Sequence, residues 1–384
     1  MKTFPFFYII IAVTLSFWNC EVEPIEPIDP NSNALYLSKE TPKDLHKSKL
    51  QNKVILSEAL TNNSIGNSNI RKLQIYTPPG YDKHTDRSYP VVYLLHGEPF
   101  SEKTFIDIKA WDETINPNGY FKEYPDFPTE GFRVWVDHLM ASGAIEPMII
   151  VMPNSDSDAG YRFSFYSNSI LNGNFEDYIV QDVVQYMDAH YRTITHASGR
   201  AVIGYSQGGY AAFKFGLKYP DIFGTVASHS GLLLVDAVLS MGPVVIAENP
   251  DGFTGPDPTK FLTSAGYAMS AAWSPNLNNP PFYVDLPFAW PSPEVLPEVA
   301  NRWYQHDVFS LLDTHVNAFQ SLNGIYFDVG LYDELGTGLT YPYLINKLDY
   351  YGIDYTFKTF EGGHFNKTFE RLAESLAFCS NTMH

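Results

Sequence analysis

Cysteine is nearly absent: 384 residues carry two, Cys20 and Cys379. A structural zinc site needs thiolate pairs and none exists, so no metal site and no cofactor is expected. Basic residues are also scarce, 25 Lys and Arg against 43 Asp and Glu, leaving a net charge of −18 and a pI near 4.9. Phosphate binding calls for a basic surface, so no nucleic-acid partner is expected. The apolar run over residues 6–18 falls short of the roughly 20 residues that cross a bilayer. No internal repeat at a fixed period is visible.

That short run has the length of a signal-peptide core, and Lys2 is the only charge before Glu21. Cys20 follows it and precedes an acidic, proline-rich stretch, residues 21–30. A cysteine so placed resembles the lipidation site of bacterial lipoproteins. Lipid attachment at Cys20, simple secretion and an uncleaved anchor all remain open. The chain is expected to be exported, to the periplasm, the cell surface or the medium, and to meet a membrane only through such an N-terminal anchor. If Cys20 is lipidated or removed, Cys379 has no disulfide partner. Residues 1–20 read as signal, 21–53 as an extended tether and 54–384 as one catalytic domain, with folding expected from near Val54.

Hydrophobic residues make up 45% of the chain, enough for a large core, and aromatics 15%. Residues 70–77 alternate as a strand. Residues 89–95, 147–152 and 201–203 are near-continuous apolar runs, as expected for the buried middle of a parallel sheet. Short strands are also expected at 225–228, 324–330 and 355–360. Helices are expected at 134–141, 174–191, 210–217 and 342–351, with a last one ending near Cys379. Strand and helix in alternation imply an α/β fold, a mostly parallel sheet with helices on both faces. Two stretches break the alternation. Residues 98–133 read as a long loop, and 232–307 as a partly helical insertion over the site, too long for a plain connection.

Gly204-Tyr205-Ser206-Gln207-Gly208 lies between an expected strand and an expected helix. G-x-S-x-G in that setting is the nucleophile elbow of α/β-hydrolases, where the glycines permit a turn too tight for side chains and leave the serine hydroxyl exposed. A serine hydroxyl needs a base, and the base an orienting acid, in the chain order Ser, Asp/Glu, His. His364, after the strand at 355–360 and the pair Gly362-Gly363, is the expected base, ahead of His306 and His315. Asp333, in the loop after the 324–330 strand, is the expected acid, with Glu334 its nearest rival. Asp328, inside the strand, is expected to make an ion pair or to satisfy backbone. The oxyanion hole needs two N–H groups. Gln207, after the nucleophile, and Glu98, after His96-Gly97, are expected to supply them.

Further runs point the same way: Thr77-Pro78-Pro79-Gly80-Tyr81, residues 89–97 ending in His96-Gly97, residues 145–151, Gly208-Gly209-Tyr210, Tyr219-Pro220-Asp221-Ile222-Phe223 and Ser230-Gly231. With them the chain resembles, over about residues 71–378, the esterase family that includes S-formylglutathione hydrolase (esterase D), the enterochelin and feruloyl esterases and the antigen 85 mycolyltransferases. The resemblance implies an α/β-hydrolase fold and a Ser206, Asp333, His364 triad. It departs in the 232–307 insertion, longer than the family core requires. The expected activity is that of a secreted serine carboxylic-ester hydrolase acting through an acyl-enzyme, on a small-molecule or polysaccharide ester such as an acylated carbohydrate or a hydroxycinnamate ester. Phe127, Trp135, Tyr161, Phe163, Phe282, Tyr283, Phe288 and Trp290 are the aromatic residues from which pocket walls could come. Acyl transfer to a sugar hydroxyl, and a catalytically silent surface binding module, are the alternatives.

Overall fold

The computed structural model of the chain describes residues 48–97, 101–107, 126–231, 234–257 and 259–384. Cys20 and Glu98 lie outside them. The apolar runs form the middle of one eight-stranded sheet. The first strands are β1 (Lys49–Leu56), β2 (Ile70–Thr77) and β3 (Val91–Leu95); α1 (Phe132–Ala141) and β4 (Ile149–Pro153) follow. Asn168–Ser169 (β5) and Gly173–Asn174 (β6) make a separate two-stranded ribbon. Then come β7 (Arg200–Tyr205), α2 (Gln207–Lys218), β8 (Thr225–His229), α3 (Phe261–Trp273) and α4 (Pro297–Tyr304). The chain ends with β9 (Gly324–Gly330), α5 (Tyr341–Tyr351), β10 (Thr356–Phe360) and α6 (Thr368–Thr382). The spatial order is β1-β2-β4-β3-β7-β8-β9-β10. Pairing is antiparallel for β1–β2 and β2–β4 and parallel throughout the rest.

Every residue of β3, β4 and β7 is buried, because both faces of the sheet are covered. Side chains alternate between two cores as the pleat requires. Val91, Tyr93 and Leu95 of β3 join α2 on one face, through Ala211, Ala212 and Phe215. Val92 and Leu94 join α1 and α6 on the other, through Val136, Leu139, Leu372 and Leu376. Phe127 and Trp135, two of the candidate wall residues, pack on Phe369 of α6 at ring separations of 4.7 and 5.2 Å. Trp135 belongs to that core.

The ordered domain starts earlier than expected. Lys49–Leu56 pairs along its whole length with β2, and Ser48 Oγ donates to the buried Asp137 at 2.6 Å, so the tether expected up to residue 53 yields its last residues to the sheet. Only Ile55 of β1 is fully buried, which left no periodicity to read. The β5–β6 ribbon was likewise not expected. The 174–191 helix is interrupted by a π-helical turn, Tyr178–Val183, and the last helix runs on to Thr382. The insertion between β8 and the Val308–Thr314 helix is partly helical, as expected: Val235–Leu239, Gly242–Glu248, α3 and α4. No helix among the described residues is long and apolar enough to cross a membrane.

Candidate active site

Ser206 directly follows β7 and caps α2 with φ 55° and ψ −118°, a conformation L-residues rarely adopt. The neighbours that hold it there are glycines for steric reasons. A Cβ on Gly204 would sit 1.9 Å from the Gly208 carbonyl oxygen, and one on Gly208 would sit 2.3 Å from the Leu95 carbonyl oxygen of β3. The turn is pinned by the Ser206 N–H donating to His229 O at 2.8 Å and by Tyr210 N–H donating to Ser206 O at 3.0 Å. The hydroxyl stands at the N-terminus of α2, where backbone N–H groups and the helix dipole favour negative charge.

The carboxyl ends of β9 and β10 bring two further side chains to this point. His364 Nε2 lies 3.0 Å from Ser206 Oγ, and its Nδ1 lies 2.8 Å from Asp333 Oδ2. An ionised carboxylate only accepts, so Nδ1 carries the proton and Nε2 is free to accept from the serine hydroxyl. Burial alone would push the Asp333 carboxyl up; the His364 ring, with hydrogen bonds from His364, Thr337 Oγ1 and Leu335 N–H, holds it below the usual carboxylate range. His306 and His315 are engaged elsewhere. His306 stacks on Trp273, and burial lowers it to about 3; His315 Nδ1 faces Leu311 O and Thr314.

His364 is also held by its backbone, through residues the sequence did not assign to the site. Its N–H donates to Glu334 Oε2 at 2.8 Å. Its carbonyl accepts from Tyr205 Oη and, at 3.3 Å, from Arg371 Nη1. Arg371 is in turn bound to Asp328 Oδ1, 2.6 Å from Nη2 and 3.1 Å from Nε, and to Ser230 Oγ at 2.8 Å. Asp328 is therefore an ion-pair residue, as its place inside a strand suggested. Burial would raise it, but Arg371 and His229 bring it down to about 2. Glu334, the rival to Asp333, holds main chain and not imidazole.

On the other side of the serine, Gly97 comes so close that a Cβ there would lie 2.9 Å from Ser206 Cβ. His96 Nε2 accepts from Ser155 N–H at 3.0 Å, so its Nδ1 carries the proton and donates to Gly97 O at 2.8 Å. Burial lowers His96 to about 4, which keeps it neutral. Gln207 is buried at the first position of α2, its backbone N–H directly after Ser206. The second expected oxyanion donor, Glu98, falls outside the described residues. On α2 itself, Lys214 is fully enclosed and donates to Tyr166 O at 2.6 Å and Ser167 Oγ at 2.9 Å, with Glu176 at 3.1 Å. Tyr166 Oη donates to His96 O, which joins this buried cluster to the His96-Gly97 turn. Among the described residues no cluster of His, Cys, Asp and Glu is arranged to hold a metal.

The fold recurs in solved structures. A ferulic acid esterase covers 89% of this chain with all of its own length, at 17% identity and a TM-score of 0.55. An esterase of Mycobacterium tuberculosis (strain ATCC 25618 / H37Rv) is 29% identical over 159 residues, 41% of this chain and 28% of that protein. An endo-1,4-beta-xylanase/feruloyl esterase of Xylanibacter ruminicola is 26% identical over 187 residues, 47% of this chain and 21% of that protein. The match thus spans less than a third of either curated relative. The profile of the Esterase family matches residues 66–377, which takes in β2, most of α6 and everything described between them, and the chain belongs to that family.

Proposed function

We propose that this chain is an exported serine carboxylic-ester hydrolase with Ser206 as nucleophile, His364 as general base and acid, and Asp333 as the carboxylate that orients the imidazole. The observation that carries the reading is the unbroken line from Ser206 Oγ to His364 (3.0 Å) to Asp333 (2.8 Å), built on a strained serine at the carboxyl edge of the sheet. Ser206 Oγ attacks the ester carbonyl as His364 Nε2 takes its proton. The carbonyl oxygen becomes an oxyanion, facing the Gln207 N–H and, in this reading, the N–H of Glu98. The intermediate collapses, the C–O bond to the alcohol breaks, and His364 returns the proton to the leaving oxygen. Water, deprotonated by the same nitrogen, then releases the acid and restores the serine.

The substrate proposed is an ester of a carbohydrate, with a hydroxycinnamoyl group as one acyl partner. The naming of the Xylanibacter ruminicola relative supports this. Export rests on the sequence alone, on the short apolar run after Lys2 and on Cys20. The test is Ser206→Ala. It should fold as the parent does and lose p-nitrophenyl acetate hydrolysis by at least about a thousandfold, together with labelling by a fluorophosphonate. Retained hydrolysis would remove Ser206 from the mechanism.

A further inference from the structure

The insertion after β8 forms a cleft, open to solvent, of about 450 Å³, within the range of small-molecule sites, roughly 300–1,000 Å³. None of the residues lining it belongs to the Ser206–His364–Asp333 line or to the Arg371 cluster behind it. Phe253, Tyr267, Phe282 and Phe288 give it ring surface. Its polar side is organised around Asp285. Arg302 Nη2 donates to Asp285 Oδ2 at 2.6 Å, while Asn276 and Asn279 amides donate to Oδ1 at 2.8 and 3.2 Å. Arg302 and Asp285 keep 33% and 26% of their side-chain exposure, so both remain accessible from the cleft. Glu298 lies exposed at the cavity with no hydrogen-bond or ion-pair partner among the described residues.

This lining selects by chemistry. A wholly apolar ligand would strip water from Arg302 and Glu298 and return nothing for it. An anion would meet two carboxylates against one guanidinium, in a chain of net charge −18. A neutral sugar ring meets both halves of the wall. Its C–H face packs on aromatic rings, and its hydroxyls donate to Asp285 and Glu298 and accept from Arg302. The cavity is also fixed relative to the serine. Tyr161 stacks on Tyr267 with parallel rings 6.3 Å apart and donates to Phe282 O at 2.5 Å. Trp273, at the end of α3, packs at 4.9 Å on Phe165, which abuts Tyr210 of the nucleophile helix at 6.3 Å.

We propose that this cavity binds a neutral sugar unit of the carbohydrate whose ester the enzyme cleaves, a second carbohydrate site built by the insertion. The inference rests on the reading of the substrate as an acylated carbohydrate, but its test does not depend on catalysis. Full-length protein carrying Ser206→Ala would be titrated calorimetrically with unesterified xylohexaose, cellohexaose and a galacturonate hexamer. At least one neutral oligosaccharide should bind, the galacturonate at least tenfold more weakly. Phe282→Ala and, separately, the exposed-site change Glu298→Ala should each weaken binding by about threefold to tenfold. In a chain with Ser206 intact, Glu298→Ala should leave kcat/KM for p-nitrophenyl acetate within twofold of the parent. Should Phe282→Ala fold poorly, Glu298→Ala carries the result. Absence of binding by either neutral oligosaccharide, preference for the galacturonate, or binding unchanged by Glu298→Ala and by a folded Phe282→Ala would overturn the proposal. Loss of the Ser206 assignment would leave a positive titration standing, so the two readings fail separately.

Discussion

Changing Arg371 to methionine tests the geometry behind His364 most directly. The substitution keeps an unbranched stem and removes the charge. Arg371 and Asp328 retain 4% and 2% of their side-chain exposure and sit 2.6 Å apart. Without the guanidinium, the Asp328 carboxylate stays enclosed with His229 at 2.8 Å and the Tyr326 hydroxyl at 3.3 Å as its remaining partners, neither a fixed cation. Breaking a buried pair from one side costs about 3–5 kcal/mol. Two-state unfolding of the roughly 340 residues from Ser48 onward carries an entropy of about 0.7 kcal/mol/K, so the midpoint should fall by about 4–7 °C. Because Arg371 also holds the His364 carbonyl, kcat for p-nitrophenyl acetate should drop by about tenfold to a hundredfold, the scale of an ångström-sized misplacement. Circular dichroism melts and steady-state kinetics read the two effects. The double variant Arg371→Met, Asp328→Asn leaves no unpaired charge and should recover much of the lost stability. A midpoint shift below 2 °C in the single variant, or a double variant as weak as the sum of its parts, would refute the reasoning.

Glu176 is enclosed, which would raise it, yet Lys214, Lys218 and Tyr219 bring it down to about 2; Asp328 is likewise near 2. Both folded values lie below the unfolded ones, so their stabilisation is full above about pH 4.5 and is lost as pH falls toward 2, about 2–3 kcal/mol each. Urea midpoints should therefore decline from pH 5 to pH 3, and less steeply in Glu176→Gln; parallel curves would contradict this. Gly208→Ala puts a methyl 2.3 Å from the Leu95 carbonyl and should cost about 1–3 kcal/mol and most of the activity. Gly266→Ala in α3 meets nothing within 4 Å and should instead stabilise by up to about 1 kcal/mol, both read by thermal melts. A chain starting at Val54 should melt well below one starting at Ser48, since it lacks five of the eight residues of β1.

The sheet's middle was legible because its strands are buried on both faces, so β3, β4 and β7 read as plain apolar runs. Ser206, His364 and Asp333 were legible because each sits where a strand ends, and the glycines beside two of them mark sharp turns. β1 was hidden for the opposite reason. An edge strand is held by main-chain pairing, and its exposed Val54 and Leu56 give no face to detect. The clamp on His364 was hidden because Arg371 and Asp328 lie 43 positions apart and meet only when α6 folds back on β9. Glu334 and Tyr205 act through backbone groups of His364, and no sequence pattern encodes a main-chain acceptor.

The contorted backbone at Ser206 also bears on when the proposed site is assembled. The φ of 55° is maintained by His229 from β8, by Tyr210 from α2 and by the clearance that β3 leaves. These anchors come from separate parts of the chain, and none can hold the turn until three parallel strands are in register. A nascent or partly unfolded chain therefore carries an ordinary serine, with no imidazole beside it and no strain to relieve. On the proposed mechanism, fluorophosphonate reactivity would be a clock for the last stage of folding. Were the chain exported as proposed, in extended form, it would travel with an unactivated hydroxyl and gain the site only on folding.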